Sequence, residues 1–97
     1  MRVISRKALR EFWQQYPDSR ASLQAWYADA KQANCLSPGD IRSTYANASV
    51  LPNNRVVFNI KGNHYRLITA INYDYGMVFI RFVGTHREYD RIDATTI

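Results

Sequence analysis

The residues best suited to chemistry lie in "GTHREYDRI", residues 84–92, which directly follows the apolar run "MVFIRFV". This stretch contains Thr85, His86 and Tyr89 together with arginines and acids. Histidine transfers protons readily because its imidazole titrates within the physiological pH range. A strand that only had to end could be followed by a few turn residues. The stretch therefore raises two hypotheses: it begins a helix, or it forms one wall of an active site.

The helical hypothesis rests on the spacing of two residues. Thr85, followed three positions later by Glu88, matches a capping box, in which each side chain accepts a hydrogen bond from the other residue's backbone N–H. The stretch is therefore predicted to begin a short C-terminal helix, and Glu88 is a structural residue rather than a general base. An isolated histidine at a strand end more often has no catalytic role. His86 stays a candidate acid or base because other polar residues are expected around it.

Three runs with a period of two surround the candidate residues: "RVVFNI", "YRLITAINY" and "MVFIRFV", separated by "KGNH" and "DYG" turns. This alternation predicts an antiparallel meander. If "GN" in the first turn is a two-residue hairpin loop, Lys61 lies opposite His64, and Asn59 lies opposite Arg66 on the same face. The other face of these strands is then predicted to hold Phe58, Ile60, Tyr65 and Leu67.

The second hairpin decides the position of Arg81. A loop with an even number of residues puts Arg81 on the Arg66 face, whereas an odd number turns it to the other face. With an even loop, the apolar face also takes Val78, Ile80 and Phe82.

Polar side chains are predicted to converge at one end of this sheet. The third strand runs back toward the "KGNH" turn, so Thr85 and His86 arrive beside Lys61 and His64. Together with the mid-strand arginines, they would form a cleft that binds phosphate and transfers protons. A single outward arginine on a strand is commonly just solvated, so the prediction depends on the group rather than on one member.

The elements that must position this cleft begin at the N-terminus. "RVIS" suits a short strand, and "SRKALREFWQQYP" then has helical spacing with Ser5 placed to cap it. Asp18 or Ser19 can cap a second helix. Residues 34–54 are left open, apart from a helical turn that "SP" could begin. Two helices before a meander predict an α+β fold, with the helices packed on one face of a small antiparallel sheet.

Composition limits the class of protein. The 97 residues suffice for one domain, residues 1–97, and 46% hydrophobic with 22% charged residues is typical of globular proteins. The apolar runs are too short to cross a bilayer and no signal peptide is visible, so no membrane role is expected. The lone Cys35 fits a reducing cytosol. The formal net charge of +5 suits a polyanion such as RNA, but also suits any basic protein.

Other kinds of site are disfavoured by the residues that would have to form them. Two distant histidines and one cysteine match no metal-binding spacing, so no metal site is expected. Asp90 and Asp93 flank Arg91, which makes catalysis by a pair of carboxylates a poor fit.

The run "RVVFNIKGNHYRLI", followed by a strand and then "FIRFVGTHREYDRI", resembles the HigB family of bacterial toxins, usually placed with the RelE-like mRNA interferases. "VISRKALREFWQQYP" and "SPGDIRSTYANASVL" resemble it more loosely. The resemblance implies a small RelE-like α+β fold. It also implies metal-independent cleavage of messenger RNA, typically bound in the ribosomal decoding site, with no cofactor.

The resemblance also implies roles for the cleft residues. Attack by the ribose 2′-hydroxyl on the neighbouring phosphorus needs groups that move protons and positive charge on the phosphoryl oxygens. His86 is expected as general acid or base, and Tyr89 as a proton donor or a stacking surface. Phosphate binding and charge stabilisation are expected of Lys61, Arg66 and Arg81. The residues expected to contact substrate in addition are Asn59, Asn63, His64 and Thr85.

The partners implied are messenger RNA, the ribosome and a small HigA-like antitoxin, with operator DNA contacted only through that antitoxin, all in the bacterial cytoplasm. Two other hypotheses stay open. One is a toxin of the same fold that acts on a protein target such as gyrase, which would not need the polar cleft. The other is an RNA-binding module without catalysis, which would bind in a salt-dependent way and leave no cut products.

Overall fold

A five-stranded sheet forms the centre of the computed structural model, which describes residues 1–97. Its strands are β1 Arg2–Ile4, β2 Ser49–Leu51, β3 Arg55–Ile60, β4 Tyr65–Asn72 and β5 Met77–Thr85. They lie in the order β1-β5-β4-β3-β2. The predicted α+β fold and its meander are confirmed. The sheet is mixed rather than antiparallel, because β1 lies parallel to β5 at the edge.

Four α-helices accompany the sheet: α1 Arg6–Gln15, α2 Arg20–Gln32, α3 Pro38–Thr44 and α4 His86–Tyr89. A single 3-10 turn, Pro17–Ser19, joins α1 to α2, and these two helices cover one face of the sheet. The core on this face is formed by Leu9, Phe12, Leu23, Trp26, Ala30, Cys35, Ile41, Val56, Phe58, Ile60, Tyr65, Leu67, Ile71, Val78 and Ile80. None of the helices has the length and hydropathy needed to span a bilayer.

The predicted caps of α1 and α2 are wrong. Ser5 precedes α1 in a left-handed conformation with φ 73°, outside the extended region from which an N-cap side chain reaches the first N–H groups, and it makes no such bond. Ser19 has helical angles and donates its Oγ proton to the carbonyl of Tyr16 at 2.7 Å. Asp18 does not cap α2 either, because its carboxylate is bound to β4 and the β3–β4 turn.

The segment left open, residues 34–54, contains regular structure. Pro38 occupies the first position of α3, and the Ser37 hydroxyl accepts a hydrogen bond from the Asp40 N–H at 3.3 Å, as expected of a helix begun by Ser-Pro. β2 then pairs with the first half of β3. The segment therefore supplies β2, the edge strand on the side of the sheet opposite β1.

The first hairpin has the predicted register. Asn59 lies opposite Arg66, and the apolar residues between them alternate onto the helical face. The turn places Lys61 and Gly62 in left-handed conformations, with φ of 50° and 61°. The backbone N–H of His64 donates to the carbonyl of Lys61 at 3.2 Å, which closes the turn.

A β-bulge at Arg81 changes the second hairpin. Ile68 of β4 pairs with Phe82 of β5. The next residue, Thr69, pairs with Ile80, so β4 offers no partner to Arg81. One extra residue reverses the alternation of side chains beyond it. Val78 and Ile80, which precede the bulge, face the helices as predicted. Phe82, which follows it, lies on the other face, contrary to the prediction.

Candidate functional site

The candidate site lies beside the β3–β4 turn, on the sheet face that α1 and α2 do not cover. Asn59, Arg66 and Gly84 form one row across β3, β4 and β5. The ring of Phe82 occupies the space into which a Cβ on residue 84 would project, so close packing requires a glycine there. The row therefore has one charged side chain, that of Arg66, between a short amide and a residue with no side chain.

The guanidinium of Arg66 is buried without a carboxylate partner. Arg66 is 8% exposed, and none of the three salt bridges of the chain includes it. Its Nη2 donates to Oδ1 of Asn63 at 2.7 Å, and its Nη1 donates to the carbonyls of Asn63 and Tyr65 at 3.2 and 3.3 Å. These bonds orient the guanidinium but leave its charge uncompensated, which is unfavourable in a buried site. An anionic ligand would supply the missing charge.

The aromatic ring of Tyr89 lies beside this guanidinium. The Cζ atom of Arg66 is 5.7 Å from the ring centroid, within the range of a cation–π contact. Tyr89 is half-buried and also packs on a second, smaller apolar cluster formed by Val57, Ile68 and Ala94. The sheet thereby fixes the end of α4 next to Arg66.

The start of α4 is fixed by the predicted capping box, which is confirmed. The Thr85 hydroxyl accepts from the Glu88 N–H at 3.2 Å, and Oε1 of Glu88 accepts from the Thr85 N–H at 2.9 Å. The backbone N–H of His86 donates to the carbonyl of His64 at 3.2 Å. Thr85 and His86 therefore meet the β3–β4 turn at His64, as predicted.

His86 has a partner that the sequence reasoning missed. Its Nδ1 lies 3.0 Å from Oδ2 of Asp90, one helical turn further along the chain. The prediction from sequence concerns Asp90 only together with Asp93, as a carboxylate pair that fits catalysis poorly. The signal that could have found the contact is the i, i+4 spacing of the two residues, which brings side chains together on one helical face.

Lys61 is bound on the helical side of the sheet. Its Nζ donates to Oδ2 of Asp18 at 2.9 Å, while the Tyr65 hydroxyl donates to the other oxygen of that carboxylate. These two hydrogen bonds, the one from Tyr65 first, hold the pKa of Asp18 below its ordinary value. The bond to Asp18, helped by burial, raises the pKa of Tyr65 to about 12. The ammonium of Lys61 therefore does not join Arg66 in this structure.

Arg81 lies in the middle of β5, and its side chain lines a cleft toward the end of the sheet opposite the candidate site. The bulge leaves it exposed, with its Cζ atom 5.7 Å from the ring centroid of Phe79. It lines a polar cleft of about 430 Å³ together with Asn53, Asn54, Arg55, Ala70, Ile71, Asn72, Tyr73, Asp74 and Phe79. Three positions of β5 separate Arg81 from Gly84, or roughly 10 Å along a strand. The predicted convergence thus includes Arg66, His64, Thr85 and His86, but not Arg81 or the Lys61 ammonium.

The two asparagines differ in how they take part. Asn63 uses its side-chain and main-chain oxygens to hold Arg66. Asn59 is exposed across the strand from Arg66, with its amide open to solvent. His64 is also exposed, and its Nδ1 lies 2.9 Å from the carbonyl of Lys61.

A groove of about 400 Å³ between α2, residues 45–48 and β3 was not anticipated. Trp26 and Tyr45 line it, and the indole Nε1 and the phenol oxygen of these residues are buried without a hydrogen-bond partner. Burial, together with the nearby Cys35 and Asp29, raises the pKa of Tyr45 to about 12. The sequence carries no signal for this groove, because its walls come from segments far apart in the chain. No cluster of three or more histidine, cysteine or acidic side chains is arranged to hold a metal ion.

Comparison with known proteins gives matches over most of the chain. The family model HigB_toxin, described as the RelE-like toxic component of a toxin-antitoxin system, matches residues 19–92. The chain is 27% identical over 94 residues to the "mRNA interferase HigB" of Escherichia coli O6:H1, covering 95% of this chain and 91% of that protein. It is 28% identical over 102 residues to the "mRNA interferase toxin HigB" of Escherichia coli K12, covering 97% of this chain and 92% of that protein.

Proposed function

This chain belongs to the HigB toxin family, the RelE-like toxic components of toxin–antitoxin systems, and from that premise we propose that it is an mRNA interferase. In this proposal it cleaves messenger RNA bound to the ribosome, which stops translation, and a cognate antitoxin neutralises it. The names of the two Escherichia coli relatives support cleavage of messenger RNA, since both are called mRNA interferases.

The observation that carries the proposal is the buried, unpaired guanidinium of Arg66 next to an aromatic ring and a histidine-bearing helix. A buried cation without a carboxylate is destabilising unless a ligand completes it. A phosphodiester is a suitable ligand, because a guanidinium hydrogen-bonds two phosphoryl oxygens in its plane. The Tyr89 ring beside it offers a surface on which a base can stack.

The reaction that fits these residues is attack by a ribose 2′-oxygen on the adjacent phosphorus. A bond forms between O2′ and phosphorus, the bond from phosphorus to the 5′ oxygen breaks, and the products end in a 2′,3′-cyclic phosphate and a 5′-hydroxyl. One proton leaves the 2′-hydroxyl and one reaches the departing 5′ oxygen. Negative charge grows on the phosphoryl oxygens, where a preorganised cation is most effective.

We assign His86 to proton transfer and Arg66 to stabilisation of that charge. The imidazole of His86 takes the 2′ proton at its free Nε2 atom, since its Nδ1 faces Asp90. Tyr89 carries the other transferable proton near Arg66 and is assigned to protonating the 5′ oxygen or to stacking on a base. Asn59, in the same row as Arg66, and Thr85, next to Gly84, are assigned to hydrogen bonds with the nucleotide.

The remaining predicted residues are assigned to more peripheral contacts. Asn63 acts by holding Arg66. His64 and Arg81 are exposed and can contact the RNA backbone on either side of the cleavage point. Lys61 would add its charge to the RNA only after exchanging its bond with Asp18, an exposed pair that costs little to break.

The proposed partners follow from the proposed function as an mRNA interferase of a toxin–antitoxin system. A net charge of +5 favours association with ribosomal and messenger RNA. The antitoxin is proposed to be a HigA-like protein, and operator DNA is contacted through it. The proposed compartment is the bacterial cytoplasm, where translation takes place.

The experiment is primer extension on a defined messenger in a cell-free translation reaction, with and without ribosomes. The variants are the wild type, His86→Ala, and Glu11→Gln as a control on the exposed surface of α1. Discrete cuts are expected from the wild type and the control only when ribosomes are present. His86→Ala is expected to cut about 10²- to 10⁴-fold more slowly, the usual contribution of a general acid or base.

Two outcomes would overturn this proposal. Translation that stalls while the messenger stays intact would indicate a protein target. Cutting by His86→Ala at the wild-type rate would remove His86 from the reaction, provided that circular dichroism shows the same fold for both proteins.

A further inference from the structure

The contact between His86 and Asp90 restricts how the imidazole can carry its proton. Nδ1 of His86 lies 3.0 Å from Oδ2 of Asp90. A carboxylate only accepts hydrogen bonds, so Nδ1 must hold a proton for this contact to be favourable. In a neutral ring the other nitrogen, Nε2, is then left with a free lone pair. The contact thus selects the tautomer that can accept a proton at the outer end of the ring.

The backbone around the pair is held at several points. The Asp90 N–H donates to the carbonyl of His86 at 3.1 Å, which closes the turn that brings the two side chains together. The capping box of Thr85 and Glu88 fixes the beginning of α4, and the His86 N–H is bound to the β3–β4 turn. Tyr89, between the two residues, packs against the sheet. The imidazole is therefore oriented by a rigid helical turn and by its carboxylate.

An ion pair with the same spacing on α1 shows what an ordinary surface pair looks like here. Lys7 and Glu11 also stand four positions apart, on α1, but their charged atoms are 3.6 Å apart and both side chains are largely exposed. Surface pairs of this kind contribute little. The side chains of His86 and Asp90 are also exposed, at 46% and 58%, but their contact is shorter, at 3.0 Å, and lies next to the row that contains Arg66.

We propose that Asp90 is a positioning residue, which holds His86 in the Nδ1-protonated tautomer with Nε2 directed at the substrate. This inference rests on the proposed ribonuclease function for its kinetic consequence. Its structural content, the tautomer of one histidine, does not depend on that function. Asp90 itself moves no proton in the reaction: the 2′ proton goes to Nε2, and the Nδ1 proton stays in place, shared with the carboxylate.

The tautomer is measured by nitrogen-15 NMR of selectively labelled histidine in the full chain at a pH where the ring is neutral. Wild type, Asp90→Ala, Asp90→Glu and Glu11→Ala are compared, and His86→Ala identifies the resonances. The His86 ring is expected to be protonated mainly at Nδ1 in the wild type and in Glu11→Ala. In Asp90→Ala the ring is expected to shift toward the tautomer mixture of an unconstrained imidazole, with partial return in Asp90→Glu.

The kinetic arm measures cleavage in the ribosome reaction with the same proteins. Asp90→Ala is expected to lower kcat roughly 10- to 100-fold with KM nearly unchanged, less than the ~10⁴-fold loss seen when a buried triad aspartate is replaced, because water can partly replace this carboxylate. Asp90→Glu should recover part of the loss, and Glu11→Ala should match the wild type.

The two arms separate the possible failures. An unchanged His86 tautomer in Asp90→Ala would overturn the positioning role whatever the enzymology shows. A changed tautomer with an unchanged kcat would show that the pair does not serve the reaction. Absence of cutting by the wild type would overturn the proposed function, and the NMR arm would still decide whether Asp90 orients the ring.

Discussion

The two faces of the sheet differ in what fills them. Under α1 and α2, fifteen buried residues form one continuous apolar cluster, which includes the edge-to-face contacts of Phe12 with Tyr65 and of Trp26 with Phe58. On the other face, only Val57, Ile68 and Ala94 form a buried cluster, and the C-terminal segment covers it. Beyond this small cluster the face ends in the row that contains Arg66.

Under the proposed function, the same three strands carry the stabilising core on one face and the reactive residues on the other. Because side chains alternate along a strand, Tyr65 and Leu67 pack against the helices while Arg66 between them faces the candidate site. The large core holds β4 in place despite the unfavourable free energy of burying the Arg66 guanidinium without a carboxylate. Substitutions on the helical face should therefore change the free energy of unfolding, and those on the other face should change cleavage.

Among the tests of the two faces, the largest effect is expected for Arg66→Ala, which is compared with Arg81→Ala on the same sheet. Loss of Arg66 removes a preorganised cation from the developing charge and should lower kcat by roughly 10²- to 10³-fold. Arg81→Ala should mainly raise KM, by a few-fold, because Arg81 is exposed and lies away from Gly84. Both are measured as initial rates of cutting in the ribosome reaction. Equal losses of kcat in the two variants would contradict the division of the sheet into a reactive end beside Arg66 and a peripheral region beside Arg81.

The helical face is tested by Leu9→Ala. Leu9 is completely buried in the large cluster, so its truncation should lower the free energy of unfolding by about 2–5 kcal/mol. Leu36→Ala is the matched control, because Leu36 is 69% exposed and should change stability very little. Urea unfolding followed by circular dichroism gives both values. Cleavage by Leu9→Ala is measured without urea, at a temperature where this variant is folded. If it lost cleavage as fully as Arg66→Ala, the two faces would not be functionally separate.

The smallest effect is expected at the contact of Tyr65 with Asp18, and it should depend on pH. The pKa of Tyr65 is raised from 10.0 to about 12 in the folded chain, chiefly by its hydrogen bond to Asp18. The unfolded chain thus loses this proton first as pH rises, so stability should fall between pH 10 and 12. In Tyr65→Phe this part of the decline should disappear, whereas Tyr75→Phe, at an exposed position, should keep it. The measurement is urea unfolding at a series of alkaline pH values.

The same contact has a consequence at low pH. The pKa of Asp18 is lowered by the hydrogen bonds from Tyr65 and Lys61, so the carboxylate stabilises the fold above its ordinary value of 3.8. This contribution is lost as pH falls through the lowered value. Tyr65→Phe should therefore also weaken the acid dependence. A variant with the wild-type profile at both extremes would show that the contact does not couple β4 to the turn between α1 and α2.

Much of the backbone that positions the candidate site could be predicted from short segments of the sequence. The alternation in "RVVFNIKGNHYRLI" predicted that Asn59 would face Arg66 and that the apolar residues between them would turn to the helices. The spacing of Thr85 and Glu88 predicted the capping box that begins α4. These features depend on residues that are close in sequence or directly paired in one hairpin. Local geometry alone is enough to determine them.

Other features could not be read from such segments. The bulge at Arg81 depends on how β5 fits against all of β4, and it moved Phe82 to the face opposite the predicted one. Lys61 was expected beside His86, but Asp18, 43 residues away in the chain, binds it. The contact of His86 with Asp90 does follow from local spacing, since Asp90 is one helical turn away, but the sequence prediction did not include it.

Propensity and spacing within a few residues predict the two N-terminal helices, the three strands of the meander, the register of the first hairpin and the cap of α4. The α+β class follows from the order of those elements. Three other features arise from the packing of segments distant in the chain: β1 lies parallel to β5, Lys61 binds Asp18, and Arg66 is buried without a carboxylate. Burial and charge pairing are properties of segments brought together by packing. No single stretch of the chain contains both partners of those contacts.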